Sequence, residues 1–113
     1  RTKRCVFSFI DNFPKLGDTF QRKGIREPNR DECELFVSAA KEITASKGMD
    51  LISCCEDTDV EKGCVNERYM RSLGMAYEKA PPYREGCGCV KCIDIGTYAT
   101  CDHRCVYCYA NIV

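Results

Sequence analysis

Six of the eleven cysteines in this chain fall between Cys87 and Asn111, in the stretch CGCVKCIDIGTYATCDHRCVYCYAN. This stretch limits the fold more than any other. Pro81, Pro82, Gly86, Gly88 and Gly96 break regular structure before and within it, so it reads as irregular backbone. A run of that length without helix or sheet buries little apolar surface against the entropy of ordering it, so something else must hold it. Thiolates around a metal or cluster supply such a hold.

Within the stretch, Cys101, Cys105 and Cys108 have the spacing C-x3-C-x2-C. Thiolates three and four residues apart on one short loop can converge on an iron–sulfur cube, and three of them leave its fourth iron open to a substrate or cofactor. The same positions also form one face of a helix, where cysteine is a small buried hydrophobe. Tyr107, just before the third cysteine, and the further cysteines upstream favour the cluster.

A second group comprises Cys54, Cys64, Cys87 and Cys89, with Cys92 as substitute or spectator. They come from a strand end, a turn before a helix and a C-x-C-x2-C loop. Four such thiolates fit a tetrahedral zinc site or a second 4Fe–4S cluster, and ligand type does not separate the two. Cys5 in a strand and Cys33 on a helix read as ordinary half-buried residues. His103, the sole histidine, lies in a polar loop and reads as exposed, and Asp94 reads as a cap on the Gly96 turn.

The odd cysteine count and the tight C-x-C and C-x2-C pairs argue against a secreted disulfide scaffold and for reduced thiols in a cytoplasmic setting. Net charge is zero, which gives no support to a nucleic-acid partner. Residues 1–30 carry eight basic against three acidic side chains, read as a mostly solvated arm. No apolar run approaches the roughly eighteen residues of a membrane span. The chain starts at Arg1, without methionine, and stops at Val113, which leads to the expectation of a fragment.

Upstream of the tail the pattern is α/β. Residues 4–10 read as a buried strand, with Asp11, Asn12 and Lys15 as weak site candidates at its carboxyl end. A loop broken by Pro14, Gly17, Gly24 and Pro28 follows, then a helix capped at Asn29 or Asp31, with Leu35, Phe36, Ala39, Ala40 and Ile43 as its apolar face and Gly48 as its stop. Residues 49–54 form a second strand, parallel to the first through a right-handed crossover. A further helix follows, capped by Asn66 and running to about Gly74. The expected layout is an α/β portion over 1–75, a βαβ fragment of a barrel-like parent fold, followed by a cysteine-rich metal-binding tail over 76–113.

The tail pattern CGC-x2-C-x-DIG-x-Y-x-TC-x-H-x-C-x-YCYAN, with SFID at Ser8–Asp11 and SCCE at Ser53–Glu56, resembles the uncharacterised radical-SAM-like family called domain of unknown function 1848. Tyr107-Cys108-Tyr109 also resembles the photolyase-like radical-SAM enzymes. The resemblance implies a barrel-like parent fold. It also implies a 4Fe–4S cluster on Cys101, Cys105 and Cys108, with S-adenosylmethionine at the open iron beside Tyr107, an unknown substrate, and an electron donor such as a ferredoxin or flavodoxin. Cys92 and Cys55 depart from the expected serine and small residue, and no Gly-Gly-Glu stretch is present. The competing expectations are a zinc-binding structural or interaction module, and an electron-transfer iron–sulfur protein without catalysis.

Overall fold

The computed structural model describes residues 2–110, so Arg1 of the basic arm and the closing residues from Asn111 lie outside the described residues. Strand β1 (Arg4–Phe7) is followed by a 3-10 turn at Pro14–Leu16, a single-turn helix α1 (Thr19–Arg22) and the long helix α2 (Arg30–Ser46). Strand β2 (Asp50–Ser53), a short strand β3 (Glu61–Lys62) and helix α3 (Glu67–Ser72) complete the regular structure. The sheet order is β1-β2-β3 and both pairings are parallel, with Phe7 opposite Ser53 and Ser53 opposite Lys62. The α/β expectation holds, and β3 is an addition to it.

Helix α2 starts where capping chemistry is complete. The Asn29 side chain accepts from the Glu32 amide at 2.9 Å, and the Glu32 carboxylate accepts from the Asn29 amide. This reciprocal box satisfies two free donors, and Asp31 and Glu32 suit the positive end of the helix. At the other end Gly48, at φ +63°, lets its amide reach the Ala45 carbonyl and the Met49 amide reach that of Thr44. Replacing Asn29 by Ala should cost about 1 kcal/mol, visible as a lower denaturation midpoint with unchanged slope and unchanged metal content.

The helix turns a different face inward from the one its strongest hydrophobes mark. Val37 and Thr44 are buried, with Cys33 and Ala40 half-buried on the same stripe, whereas Leu35 is 74% and Ile43 61% exposed. The reason lies across the interface: Phe7 of β1 and Val60 form the buried core with Val37, and Phe9 and Leu51 pack against it. Phe36 sits at the border, its ring 5.5 Å from both Phe7 and Phe9. Each fully buried side chain of this size contributes roughly 1.5 to 3 kcal/mol, so a core this small leaves little to spare.

All three strands end on the same side. Phe7, Ser53 and Lys62 are their last residues, and the segments that leave them carry Asp11, Cys54, Cys55 and Cys64. From Met75 to Ala110 the described backbone has neither helix nor strand, as the glycine and proline pattern implies. Its first part is tied down by a few bonds. The Val90 amide donates to Val65 O at 2.9 Å, the Lys91 amide to Glu78 O at 2.8 Å, and the Val90 side chain is buried. Among the described residues no helix is long and apolar enough to cross a membrane.

Candidate metal centres

Two separate groups of cysteines lie on this scaffold, and none of the eleven is joined in a disulfide. The first group gathers at the carboxyl ends of β2 and β3. Cys64 Sγ lies 3.5 Å from Cys89 Sγ, and Cys54 also contacts Cys64. Cys87 is influenced by Cys89 and Cys55, and Cys55 by Cys54. These neighbours make a loose ring of five thiols, four of them the expected Cys54, Cys64, Cys87 and Cys89, with Cys64 and Cys89 in direct contact. Cys55 is the member that sequence reasoning missed. Cys92 stands apart, its thiol donating to the Val90 carbonyl at 3.2 Å.

Glycines make this meeting possible. A Cβ on Gly63, at φ +95°, would lie 2.5 Å from the Gly88 carbonyl oxygen, and one on Gly88 would lie 3.1 Å from Lys62 backbone atoms. The tail therefore crosses the end of β3 with backbone on backbone, which seats Cys64 and Cys89 side by side. Arg4 supports the same place from below: its guanidinium stacks 3.8 Å from the Tyr69 ring centre and donates to the Cys64 carbonyl at 2.8 Å. Arg4 thus departs from the solvated basic arm.

The electrostatics of the ring are those of thiols sharing a confined space. Burial first, then the Cys89 and Cys54 thiols, pushes Cys64 up to about 12. Cys55 is also raised, by burial above all, against the opposing pull of the Arg84 guanidinium. Burial acts upward on Cys87 as well, yet the amides of Cys89 and Tyr83 and the thiols of Cys89 and Cys55 outweigh it and hold that thiol below its ordinary value. Crowded thiols resist a second negative charge, and a cation among them reverses that resistance.

Beside the ring opens a cleft of about 640 Å³ lined by Asp11, Cys55, Asp57, Lys62, Arg84, Glu85 and Gly86. Arg84 pairs with Asp11 at 3.4 Å and is raised by the Cys55 and Cys54 thiols. Of the weak candidates after β1, Asp11 faces this cleft, while Asn12 spends its amide on Glu27.

The second group is the C-x3-C-x2-C motif. Cys101, Cys105 and Cys108 line one cleft of about 570 Å³, together with Lys15, Leu16, Thr19 and Arg104, and no other cysteine is among its described lining. The Cys108 amide donates to Cys105 O at 3.0 Å, a turn that brings the last two cysteines around. Tyr107 lies against this pair: a hydrogen bond with Cys105, and then the charges of Cys105 and Cys108, raise its pKa. The loop docks on the segment that leaves β1, with the Tyr109 ring 5.2 Å from that of Phe13 and Lys15 Nζ 3.4 Å from the Tyr109 carbonyl. His103 is exposed and outside the cleft, and Asp94 caps its turn by accepting from Gly96 at 2.8 Å. Among the described residues no three ligand-type side chains in either group already face one common point.

The family model for a domain of unknown function, DUF1848, matches residues 1–110. The chain belongs to the DUF1848 family. No curated protein and no solved structure matches it. The DUF1848 match runs through both cysteine groups, from β1 to the cleft of Cys101, Cys105 and Cys108. In this DUF1848 chain the missed participants are Cys55 and Arg84. The Cys54-Cys55 doublet at a strand end was the available signal for the first; nothing in Tyr83-Arg84-Glu85 marked the second.

Proposed function

We propose that this chain is the cluster-binding part of a radical-SAM-like enzyme whose substrate is unassigned. Cys101, Cys105 and Cys108 would hold a 4Fe–4S cluster with one iron open to S-adenosylmethionine. The observation that carries the reading is the single cleft lined by all three motif cysteines, with Tyr107 hydrogen-bonded to Cys105. The donor set of three thiols on one cleft fits a cube, which takes one thiolate per iron. A cube carries its thiolates on separate corners and asks only for a roomy cleft with three of them on its wall.

A cluster held there would supply one-electron reduction of S-adenosylmethionine. The work of this chain is to hold and shield. Lys15, with Nζ 4.6 Å from the centre of the Tyr98 ring, places a positive charge on the cleft wall, where a carboxylate of an amino acid is attracted. Phe13, Tyr98 and Tyr109 meet in series, tilted and edge to face, and hold the loop on the segment that leaves β1. The Tyr107 hydroxyl, already against Cys105, is placed to hydrogen-bond a thiolate there and lower its electron density. In this reading the sheet belongs to a barrel-like parent, a ferredoxin or flavodoxin supplies electrons, and the compartment is cytoplasmic.

The test is iron and acid-labile sulfide analysis of anaerobically reconstituted protein, followed by EPR after reduction. We expect about four irons and four sulfides at this motif and a reduced signal that shifts on adding S-adenosylmethionine. A cluster with a fourth cysteine ligand and an indifferent signal would replace catalysis by electron transfer.

A further inference from the structure

The ring of thiols at the ends of β2 and β3 has a chemistry of its own. We propose that Cys54, Cys64, Cys87 and Cys89 form a tetrahedral site for a single zinc ion that pins the irregular tail to the sheet. This site is independent of the cluster reading, since it shares no cysteine with the C-terminal cleft.

The choice of a single ion rests on spacing. Cys64 and Cys89 have their sulfurs 3.5 Å apart. Two thiolates on one tetrahedral zinc stand about 3.8 Å apart, so this pair is close to the separation it would have when filled. On a cube each thiolate occupies a different corner and points away from the others, and a pair in van der Waals contact does not suit it. A disulfide is not the explanation of the contact either, because the bond requires about 2.05 Å and both thiols are free.

The surroundings are built for thiolates. The Val65 amide points at Cys89 Sγ at 3.5 Å, and the amides of Cys89 and Tyr83 point at Cys87. Four thiolates on a dication leave a net double negative charge, which these N–H groups spread and the Arg84 guanidinium beside Cys54 partly balances. Gly63 and Gly88 give up their side chains where Cys64 and Cys89 meet, so the backbone positions are set before any ion arrives. Cys54, a neighbour of Cys64, and Cys87, a neighbour of Cys89, would complete the set.

Cys55 is left outside the four. Its left-handed backbone, at φ +61°, turns it toward Arg84 and the cleft of Asp11 and Asp57. Zinc rather than a harder cation follows from the all-sulfur donors.

The experiment uses the whole chain with Cys101, Cys105 and Cys108 changed to Ala, so that only this site remains. Zinc content is measured after metal-free purification and titration with Zn²⁺, and Co²⁺ serves as a spectroscopic probe. We expect one equivalent of zinc, a cobalt spectrum with the strong charge-transfer bands of a four-thiolate tetrahedron, and no change on Cys92→Ser, whose thiol is turned to the Val90 carbonyl. Thiol alkylation mapped by mass spectrometry gives a second readout that needs no further variant: zinc should protect Cys54, Cys64, Cys87 and Cys89 at least tenfold over Cys55 and Cys92, as tight ligation of thiolates implies. Absence of bound zinc and cobalt, protection of a different set, or assembly of iron with sulfide on these cysteines would overturn the proposal.

Discussion

Replacing Cys105 by Ala should empty the C-terminal cleft of iron and sulfide, leaving less than about one-tenth of the wild-type cluster, because two thiolates rarely retain a cube. Cys105 is the most informative of the three, since it lies between the other ligands in sequence and also meets Tyr107. If the proposed function holds, the same change should also remove substrate-free cleavage of S-adenosylmethionine to 5′-deoxyadenosine. Cys33→Ala is the control: Cys33 is half-buried on α2, far in sequence from the motif, and its loss should leave iron content unaltered. Full iron content in the Cys105 variant would mean that the cluster, if any, is held elsewhere.

Gly63→Ala should be the most damaging change outside the cysteines. The added methyl group would meet the Gly88 carbonyl at 2.5 Å, where the neighbour is rigid backbone rather than a flexible side-chain tip, and φ +95° is unfavourable for any residue with a Cβ. Strain and steric overlap together should cost about 3 kcal/mol or more, a large share of the stability of a domain this size. Moving the tail off β3 would also part Cys64 from Cys89, so the variant should release the ion proposed for that site at a lower chelator concentration than wild type. A Gly17→Ala variant separates the two causes: φ is +55° there, yet nothing lies within 4 Å of the added group, so it should show backbone strain alone. Equal unfolding midpoints for the two variants would argue that the Gly63–Gly88 crossing contributes no stability.

Much of the scaffold could be read from residue types because local chemistry governs it. Asn29 and Asn66 cap the helices at the expected places, Gly48 ends α2, and the two expected strands pair in parallel. Strand β3 escaped notice because two residues show no period, and its identity comes from pairing with Ile52 and Ser53. The inward face of α2 was misjudged for a related reason. Leu35, Phe36, Ala39, Ala40 and Ile43 share helical spacing, but so do Cys33, Val37, Ala40 and Thr44, and the sheet selects this second stripe, which keeps only Ala40 of the expected face and allows closer approach. Among the cysteines, the grouping was legible from segment ends and spacing. The place of Cys55 was not, because a left-handed conformation at a non-glycine residue depends on its neighbours.

The separation of Cys64 from Cys89 by 25 residues has a consequence during protein synthesis. At about 5 to 20 residues per second, the earlier thiols leave the ribosome roughly 1 to 5 seconds before their later partners exist. Through that interval Cys54, Cys55 and Cys64 have one another, Cys5, Cys33 and small-molecule thiols as company, so oxidation would trap wrong pairs until the glycine crossing can close over them.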